Sequence, residues 1–229
     1  QSRRDGGALM PSGFLFDLDG TLLNSDPLHL AIFADMLRPA GVEVDHAFYT
    51  SRILGRNSAE IFAELLPGCD AVAMDDEKEA RFRDVLDRTT IAPTPGTERL
   101  LDRIAAAGLP VAVATNAPRQ NAEAMLRAIG LRDRFPVVVA AEEVARGKPY
   151  PDVYLDAAAK AGADPARAIA FEDSGAGVTA AAAAGCTVIG LTTSLSPDAL
   201  RAAGARHAIR DYEDPGLFPL LGLETGALS

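Results

Sequence analysis

Five short apolar runs, separated by segments of helical periodicity, constrain this chain more than any other feature. They are GFLFDLD (13–19), LPVAVATN (109–116), PVVVA (136–140), AIAFEDS (168–174) and TVIGLT (187–192). Each is too short for a buried helix, and β-branched content or terminal turn residues mark it as a buried strand. HAIRDY (207–212) is a weaker sixth. Between them, TERLLDRIAAAG places Leu100, Leu101, Ile104 and Ala105 at helical spacing, with Gly108 positioned to end the helix. RQNAEAMLRAIG and PDVYLDAAAKAG stop in the same way at Gly130 and Gly162. Ser196-Pro197 reads as a cap followed by proline at the first helical position. Strands alternating with helices require a parallel sheet covered on both faces, and right-handed crossovers make that sheet doubly wound. The expected fold is α/β, with a Rossmann-like parallel sheet as its core.

The interval from Ser25 to Pro93 breaks the alternation. Asp26-Pro27 opens one helix, Ser58–Leu66 makes a second, and Ala71–Arg88 makes a third that is heavily charged. No segment there reads as a strand. An interval of this size is too long for a loop, so it is expected to be an inserted all-helical cap domain that rejoins the core at PTPG (93–96). The expected division is a core of 14–25 and 94–216, a cap of 26–93, and tails of 1–13 and 217–229. The leader QSRRDGGALMPSG has no apolar h-region despite Arg3-Arg4, and reads as a disordered or non-native leader rather than a signal peptide. The tail LFPLLGLETGALS is apolar enough to dock on the core.

Composition narrows the partners. The chain is 48% hydrophobic over 229 residues, enough for a full core, and no run of about 18 apolar residues suggests a membrane span. A formal net charge of −10 argues against nucleic acid or an anionic membrane surface. Cys69 and Cys186 lack metal-ligand spacing and read as reduced thiols of a cytoplasmic protein. The expected partner is a small molecule, and the expected assembly is a monomer.

In a parallel sheet, ligands bind beyond the carboxyl ends of the strands. The first strand ends in Asp17-x-Asp19, the second in Thr115-Asn116 and the fourth in Glu172-Asp173-Ser174. Arg146-Gly147-Lys148-Pro149 follows the third. Asp17 and Asp19 repel each other, so a cation, a shared proton or water must compensate. Asp17, Asp19, Glu172 and Asp173 around one point make a hard-oxygen site suited to Mg²⁺, and Lys148 would offset the remaining repulsion. Taken singly, each motif has a plainer reading. Asp17 to Gly20 can be a turn, Thr115-Asn116 a helix cap, and Lys148, one of three lysines, a surface residue. Ser174-Gly175-Ala176-Gly177 lacks the third glycine of a dinucleotide fingerprint and follows the wrong strand, so it reads as close helix–sheet packing. The alanine run 180–184 reads as core packing.

Together, DLDGT at 17–21, Thr115-Asn116, Lys148 in GKPYPDVY and FEDSGAGVTAAAAAG at 171–185 resemble the haloacid dehalogenase superfamily. The resemblance is to its phosphatase branch with a helical cap after the first strand, which also holds β-phosphoglucomutase-like and phosphoglycolate phosphatase-like members. It runs from Gly13 to about Asp211. It implies an Mg²⁺-dependent phosphatase of small phosphorylated metabolites, of the sugar or polyol phosphate type, acting through an aspartyl-phosphate. Asp17 would be the nucleophile. Asp19 would be general acid and then base, with its backbone carbonyl on the metal. Glu172 and Asp173 would hold the ion directly or through water. Thr115, Asn116 and Lys148 would bind the phosphoryl group, assisted by the N–H groups of Leu18, Asn116 and Ala117. His29 would face the catalytic aspartate, or be simply structural or exposed. Gly55, Arg56 and Asn57 would form the cap loop that reads the leaving group, although Arg56 can equally be a solvated side chain.

Rival functions differ in what they require. A dehalogenase needs neither metal nor a second acid. A phosphonatase needs a Schiff-base lysine in the cap, where Lys78 lies alone within MDDEKEARFRD, a run that reads as a solvated face. A signalling receiver is about half this length and has no helical insertion. A non-enzymatic scaffold would have lost the nucleophile or the acid. A sugar-phosphate mutase of the β-phosphoglucomutase type is the nearest alternative. It needs a second phosphate clamp, with a lysine just before the cap-loop glycine and an arginine three residues after it. Leu54 and Ser58 occupy those positions here, and the first motif reads DGT where such mutases often have DGV.

Overall fold

The computed structural model describes residues 11–54 and 56–223. Residues 1–10 of the leader expected over 1–13, the end of the tail at 224–229 and the expected loop residue Gly55 lie outside the described residues. Six parallel strands form one sheet: β1 (Phe14–Phe16), β2 (Val111–Thr115), β3 (Val137–Ala140), β4 (Ile169–Glu172), β5 (Thr187–Leu191) and β6 (His207–Ile209). Their order is β3-β2-β1-β4-β5-β6. This is the doubly wound arrangement the alternation requires. β1 is central, and Phe16 pairs with Val113 of β2 on one side and Phe171 of β4 on the other. The winding reverses between β1 and β4, and that crevice is where such sheets bind ligands.

The alternation of side chains along each strand divides the core into two layers. Phe14, Phe16 and Phe171 point to one face, with Phe16 and Phe171 stacked at 5.0 Å and Tyr212 edge-on to Phe171 at 5.1 Å. Leu15, Ala112, Ala114, Ala170 and Val188 point to the other. There they meet Tyr154 and the alanines of α7 (Asp152–Ala161) and α8 (Gly175–Ala183). Small side chains on that face let α8 lie close to the strands. Each buried phenylalanine contributes about 1.5–3 kcal/mol from removal of apolar surface from water. The flanking helices α5 (Thr97–Ala106), α6 (Arg119–Ala128) and α9 (Pro197–Ala203) complete the layers, and Ser196 caps α9 by accepting from the N–H of Ala199. A last helix, α10 (Leu217–Leu221), buries Leu217 and Leu221 on the core, within the stretch expected as a tail.

Between β1 and β2, with no strand beyond a single bridge between Asp19 and Leu23, the described residues form helices and turns. They are α1 (Asp26–Leu37), α2 (His46–Phe48) with a π-turn over Tyr49–Ile53, α3 (Ser58–Leu65) and α4 (Ala71–Arg88). The side chains of Asp45, Asn57 and Asp70 cap α2, α3 and α4 by accepting backbone N–H groups. The chain returns beside the point where it left, because Thr94 donates its N–H to the carbonyl of Leu22 and its hydroxyl to that of Thr21, each at 2.8 Å.

One expectation for this region is overturned. Lys78 does not lie on a solvated face but is only 5% exposed. Its ammonium lies 5.7 Å and 5.8 Å from the rings of Phe33 and Phe82 and 2.6 Å from Glu79. The reason is periodicity. Met74, Lys78, Phe82 and Leu86 recur every four residues on one helix stripe, so the lysine stem is buried along with its apolar neighbours. Among the described residues no helix is long and apolar enough to cross a membrane.

Candidate active site

The site begins where β1 stops. The N–H of Asp17 donates to the carbonyl of Phe171 at 2.9 Å, which continues the β1–β4 pairing by one residue and fixes the Asp17 backbone. The chain then turns on the carbonyl of Leu18, which accepts from the N–H of Leu22 at 2.8 Å. Gly20 makes the turn with φ +78°, and a Cβ there would lie 2.1 Å from an Asp173 carboxylate oxygen. A side chain at this position would therefore push Asp173 aside. The turn directs Asp17 and Asp19 to different partners.

Asp17 is buried and bonded through Oδ1 to the Lys148 ammonium. The same ammonium reaches Glu172 Oε1 at 2.5 Å and lies 5.1 Å from the Tyr154 ring centre. Asn116 holds the lysine backbone from both ends. Its Oδ1 accepts the Lys148 N–H at 2.9 Å and its Nδ2 donates to the Lys148 carbonyl at 3.3 Å. Thr115 is buried, and its hydroxyl accepts the N–H of Ala117 at 3.0 Å. Neither residue caps α6, which starts after Pro118.

Glu172 is fully buried and saturated with donors. Oε1 accepts from Lys148 and from the Tyr154 hydroxyl at 3.0 Å. Oε2 accepts from the N–H groups of Asp173 and Ser174 and from the Ser174 hydroxyl, each at 3.0 Å. It lies so close to α8 that a Cβ on Gly177 would sit 1.6 Å from Oε1. Of the two glycines after β4, Gly177 is thus close packing against Glu172, whereas a Cβ on Gly175 would meet only Leu195 at 3.7 Å. Asp173 accepts from the Ser194 hydroxyl through Oδ2 and from Thr21 at 3.4 Å through Oδ1.

Asp19 turns the other way. It accepts the Ser25 hydroxyl at 2.6 Å and the Ser25 N–H at 3.2 Å. Nε2 of His29 stands 3.7 Å from its Oδ2, beyond direct hydrogen-bond length, with the imidazole stacked on Phe82 at 4.2 Å. His29 therefore faces Asp19 and is partly buried, which sets aside the exposed reading of that histidine.

These placements set the charge states. Burial, then the charges of Glu172 and Asp173, raise the Asp17 carboxyl well above its ordinary value against the pull of Lys148. Burial and Glu172 push Asp173 up to about 7. Burial alone would raise Asp19, but His29 and Ser25 more than offset it and leave that carboxyl below its ordinary value. Burial opposes the Lys148 ammonium, yet Asp17 and Glu172 hold it above the usual lysine value.

Carboxylate oxygens of Asp17, Glu172 and Asp173 lie within 4.8 Å of one another. Among the described residues one lysine faces three buried carboxylates, so the cluster holds more negative charge than they neutralise. An all-oxygen donor set with excess negative charge fits a hard divalent cation. Of the three, Glu172 has its lone pairs taken by protein donors, which leaves Asp17 and Asp173 the freer ligands. The Asp19 side chain is engaged by Ser25 and is not part of this cluster.

The cluster forms the floor of a cavity of about 760 Å³. Asp17, Asp19, Thr115, Asn116, Lys148 and Asp173 line it from the sheet side, and His29, Arg56, Asn57 and Lys78 from the helical side. Glu172 lies beneath the surface. Arg56 donates to Glu64 at 2.7 Å and to the carbonyl of Arg52 at 2.8 Å, and Asn57 caps α3. Four partners escaped the sequence reading: Ser25, Tyr154, Ser194 and Lys78. Ser194 was within reach, because it follows β5 and the strand-end rule applies there too. Tyr154 carries no local signal, since its partner is 18 residues away.

Comparison with known proteins agrees with this geometry. A family model described as haloacid dehalogenase-like hydrolase matches residues 11–185. The chain is 34% identical over 191 residues to validoxylamine A 7'-phosphate phosphatase of Streptomyces hygroscopicus subsp. limoneus, covering 82% of this chain and 89% of that protein. It is 33% identical over 188 residues to fructose-1-phosphate phosphatase YqaB of Escherichia coli, covering 78% of this chain and 95% of that one. The structure of CbbY from Rhodobacter sphaeroides in complex with xylulose-(1,5)bisphosphate superposes with a TM-score of 0.76 at 30% identity, covering 93% of this chain and 99% of that one.

Proposed function

Since the chain belongs to the haloacid dehalogenase-like hydrolase family, we propose that it is an Mg²⁺-dependent phosphatase of small phosphorylated metabolites, of the sugar or polyol phosphate type. The observation that carries this reading is Asp17, buried at the carboxyl end of β1 and bonded to Lys148, with Asp19 beside it on the floor of a large cavity. The names of the two phosphatases above support the substrate type.

In this reading an Asp17 carboxylate oxygen attacks phosphorus and the ester oxygen leaves, forming an aspartyl-phosphate. Lys148 holds Asp17 in place and neutralises phosphoryl oxygens, and the Thr115 hydroxyl and the N–H groups of Leu18 and Asn116 bind the rest, with the Ala117 N–H fixing Thr115. Asn116 acts through the Lys148 backbone. Asp19 protonates the leaving oxygen and then takes a proton from the attacking water. With Ser25 and His29 beside it, Asp19 is a carboxylate, the form the water step needs. Arrival of a phosphate dianion raises its pKa and favours the protonated form for the first step. Asp17, Asp173 and the Asp19 carbonyl would hold Mg²⁺, which supplies charge neutralisation of the transferring group; Glu172 serves chiefly as the counter-charge of Lys148. Residues 26–93 act as a cap that closes over the site about the adjacent joints at Ser25 and Thr94. Arg56, already bonded to Glu64, does not replace a mutase clamp, so water captures the phosphoryl group.

The test is phosphate release from a panel of sugar, polyol and aryl phosphates. Release with Mg²⁺, loss on exhaustive chelation and recovery on adding the metal back are expected. β-Glucose 1-phosphate with a trace of the 1,6-bisphosphate should give phosphate and no glucose 6-phosphate. Isomer formed faster than phosphate would mark a mutase, and full activity after chelation would remove the metal from the scheme.

A pH dependence follows from the same carboxyls. Asp173 titrates near 7 in the folded metal-free protein and in the ordinary carboxylate range when unfolded. Between those values the folded state binds more protons, so its contribution to metal-free stability falls as pH rises. A cation displaces that proton. The rise in Tm on adding Mg²⁺ should therefore be larger at pH 8 than at pH 6, measured by calorimetry; equal shifts would place the metal away from Asp173.

A further inference from the structure

The cavity is far larger than a phosphoryl group needs, so the leaving group of any ester held by Lys148 extends toward the helical wall. What that wall can accept depends on which of its charges are already answered. Beside the His29 imidazole, which is turned to Asp19, two cations line it among the described residues, Lys78 and Arg56. Lys78 is enclosed by Phe33 and Phe82 and paired with Glu79 at 2.6 Å. Glu79 is held in turn by Asn121 Nδ2, and Asn121 Oδ1 accepts from Arg83 at 2.8 Å. Arg56 is spent on Glu64 and on the carbonyl of Arg52. Neither cation is therefore free for an incoming anion.

The carboxylates of the same wall are less well matched. Asp26 receives the Tyr49 hydroxyl at 2.9 Å, and Asp75 interacts with the Ser58 side chain. Among the described residues neither has a cation within ion-pair distance. Asp75 and Glu79 also lie four apart on α4, a spacing at which like charges repel. Burial and then the Glu79 charge raise the Asp75 carboxyl against the weaker pull of Lys78, which is paired with Glu79.

Building on the phosphatase reading, we infer that the helical wall selects phosphomonoesters by the charge of the leaving group, accepting neutral polyols and amine-bearing ones and rejecting those with a second anionic group. The selection rests on the self-neutralised Lys78–Glu79 pair: a second phosphate or a carboxylate meets unpaired Asp26 and Asp75 and no free cation. An ammonium or a hydroxyl finds acceptors instead. This is discrimination by an unfavourable contact as much as by a favourable one.

The experiment compares kcat/KM for three esters of one size: glucose 6-phosphate, glucosamine 6-phosphate and 6-phosphogluconate, each relative to an aryl phosphate. The amine ester should match or exceed the neutral one, and the carboxylate ester should fall at least tenfold below it, a difference of about 1.4 kcal/mol. High salt should narrow the spread. Glu79→Gln keeps one acceptor oxygen for Lys78, gives up the acceptor for Asn121 Nδ2 and removes the neutralising charge. It should raise the ratio of carboxylate to neutral ester about tenfold; Glu64→Gln, at the exposed Arg56 pair, should move the ratio in the same direction. A carboxylate ester cleaved as fast as the neutral one by the unmodified protein overturns the inference, as does an unchanged ratio in both variants. Those outcomes leave aryl phosphate hydrolysis, and with it the phosphatase reading, standing. No phosphate from any ester, the aryl one included, overturns both.

Discussion

Asp17→Asn is expected to lower kcat by at least about 10⁴-fold, equivalent to roughly 5.5 kcal/mol of barrier, while leaving the protein folded. The two effects separate because the residue is placed for chemistry and not for stability. An amide has nearly the volume of the carboxylate, and its oxygen can still accept from Lys148, so the hydrogen bond at this position survives. The amide is not a nucleophile toward phosphorus, so the aspartyl-phosphate cannot form. Burial and two neighbouring carboxylates already disfavour the charge on Asp17. Removing that charge should leave the metal-free Tm unchanged or raise it. The Tm gain on adding Mg²⁺ should shrink, because one ligand is weakened. Steady-state phosphate release and calorimetry on the same preparation check both halves. Near-normal turnover by the folded variant would mean that the phosphoryl group is not taken by Asp17.

The features that were legible in the sequence are those with a short-range signature. Each strand is a run of apolar residues bounded by turn residues, and the rule that ligands gather at strand carboxyl ends then selected Asp17, Thr115, Lys148, Glu172 and Asp173 without any three-dimensional information. The structure brings Asp17, Lys148, Glu172 and Asp173 within reach of one another. Features set by packing were not legible. Lys78 sits in a run of charges that hides its place on an apolar stripe. Burial of a lysine depends on what faces the helix, here Phe33 from α1. The division of labour between Glu172 and Asp173 was also hidden. Adjacent acidic residues look equivalent in sequence, yet alternation along the chain turns Glu172 under the site toward Tyr154 and α8 and leaves Asp173 at the surface of the cavity. The turn over Tyr49–Ile53 has neither helical nor strand periodicity, so its structure comes from contacts such as Tyr49 with Asp26.

Lys148→Met should have the other large effect, and here activity and stability should fail together. Among the described residues Lys148 is the one cation bonded to Asp17 and Glu172, and both carboxylates are buried. Methionine fills the space of the stem beside the Tyr154 ring but leaves the two acids facing each other without a counter-charge. Breaking a buried pair from one side typically costs about 3–5 kcal/mol. In a domain of this size that is a fall in Tm on the order of 10 °C. Glu172→Gln in the same chain tests the cause. The glutamine carbonyl can still accept from the N–H groups of Asp173 and Ser174, and one of the stranded charges is gone. Lys148→Met/Glu172→Gln should then be less destabilised than the sum of the single changes by about 1–3 kcal/mol, the range of coupling seen between groups in contact. Additive losses would show that Glu172 is not the counter-charge of Lys148, and would return it to the set of direct metal ligands. Activity should not recover in the double variant, because Asp17 still lacks the ammonium that orients it and neutralises the phosphoryl oxygens. Stability regained without turnover is the outcome that separates the two roles of the lysine.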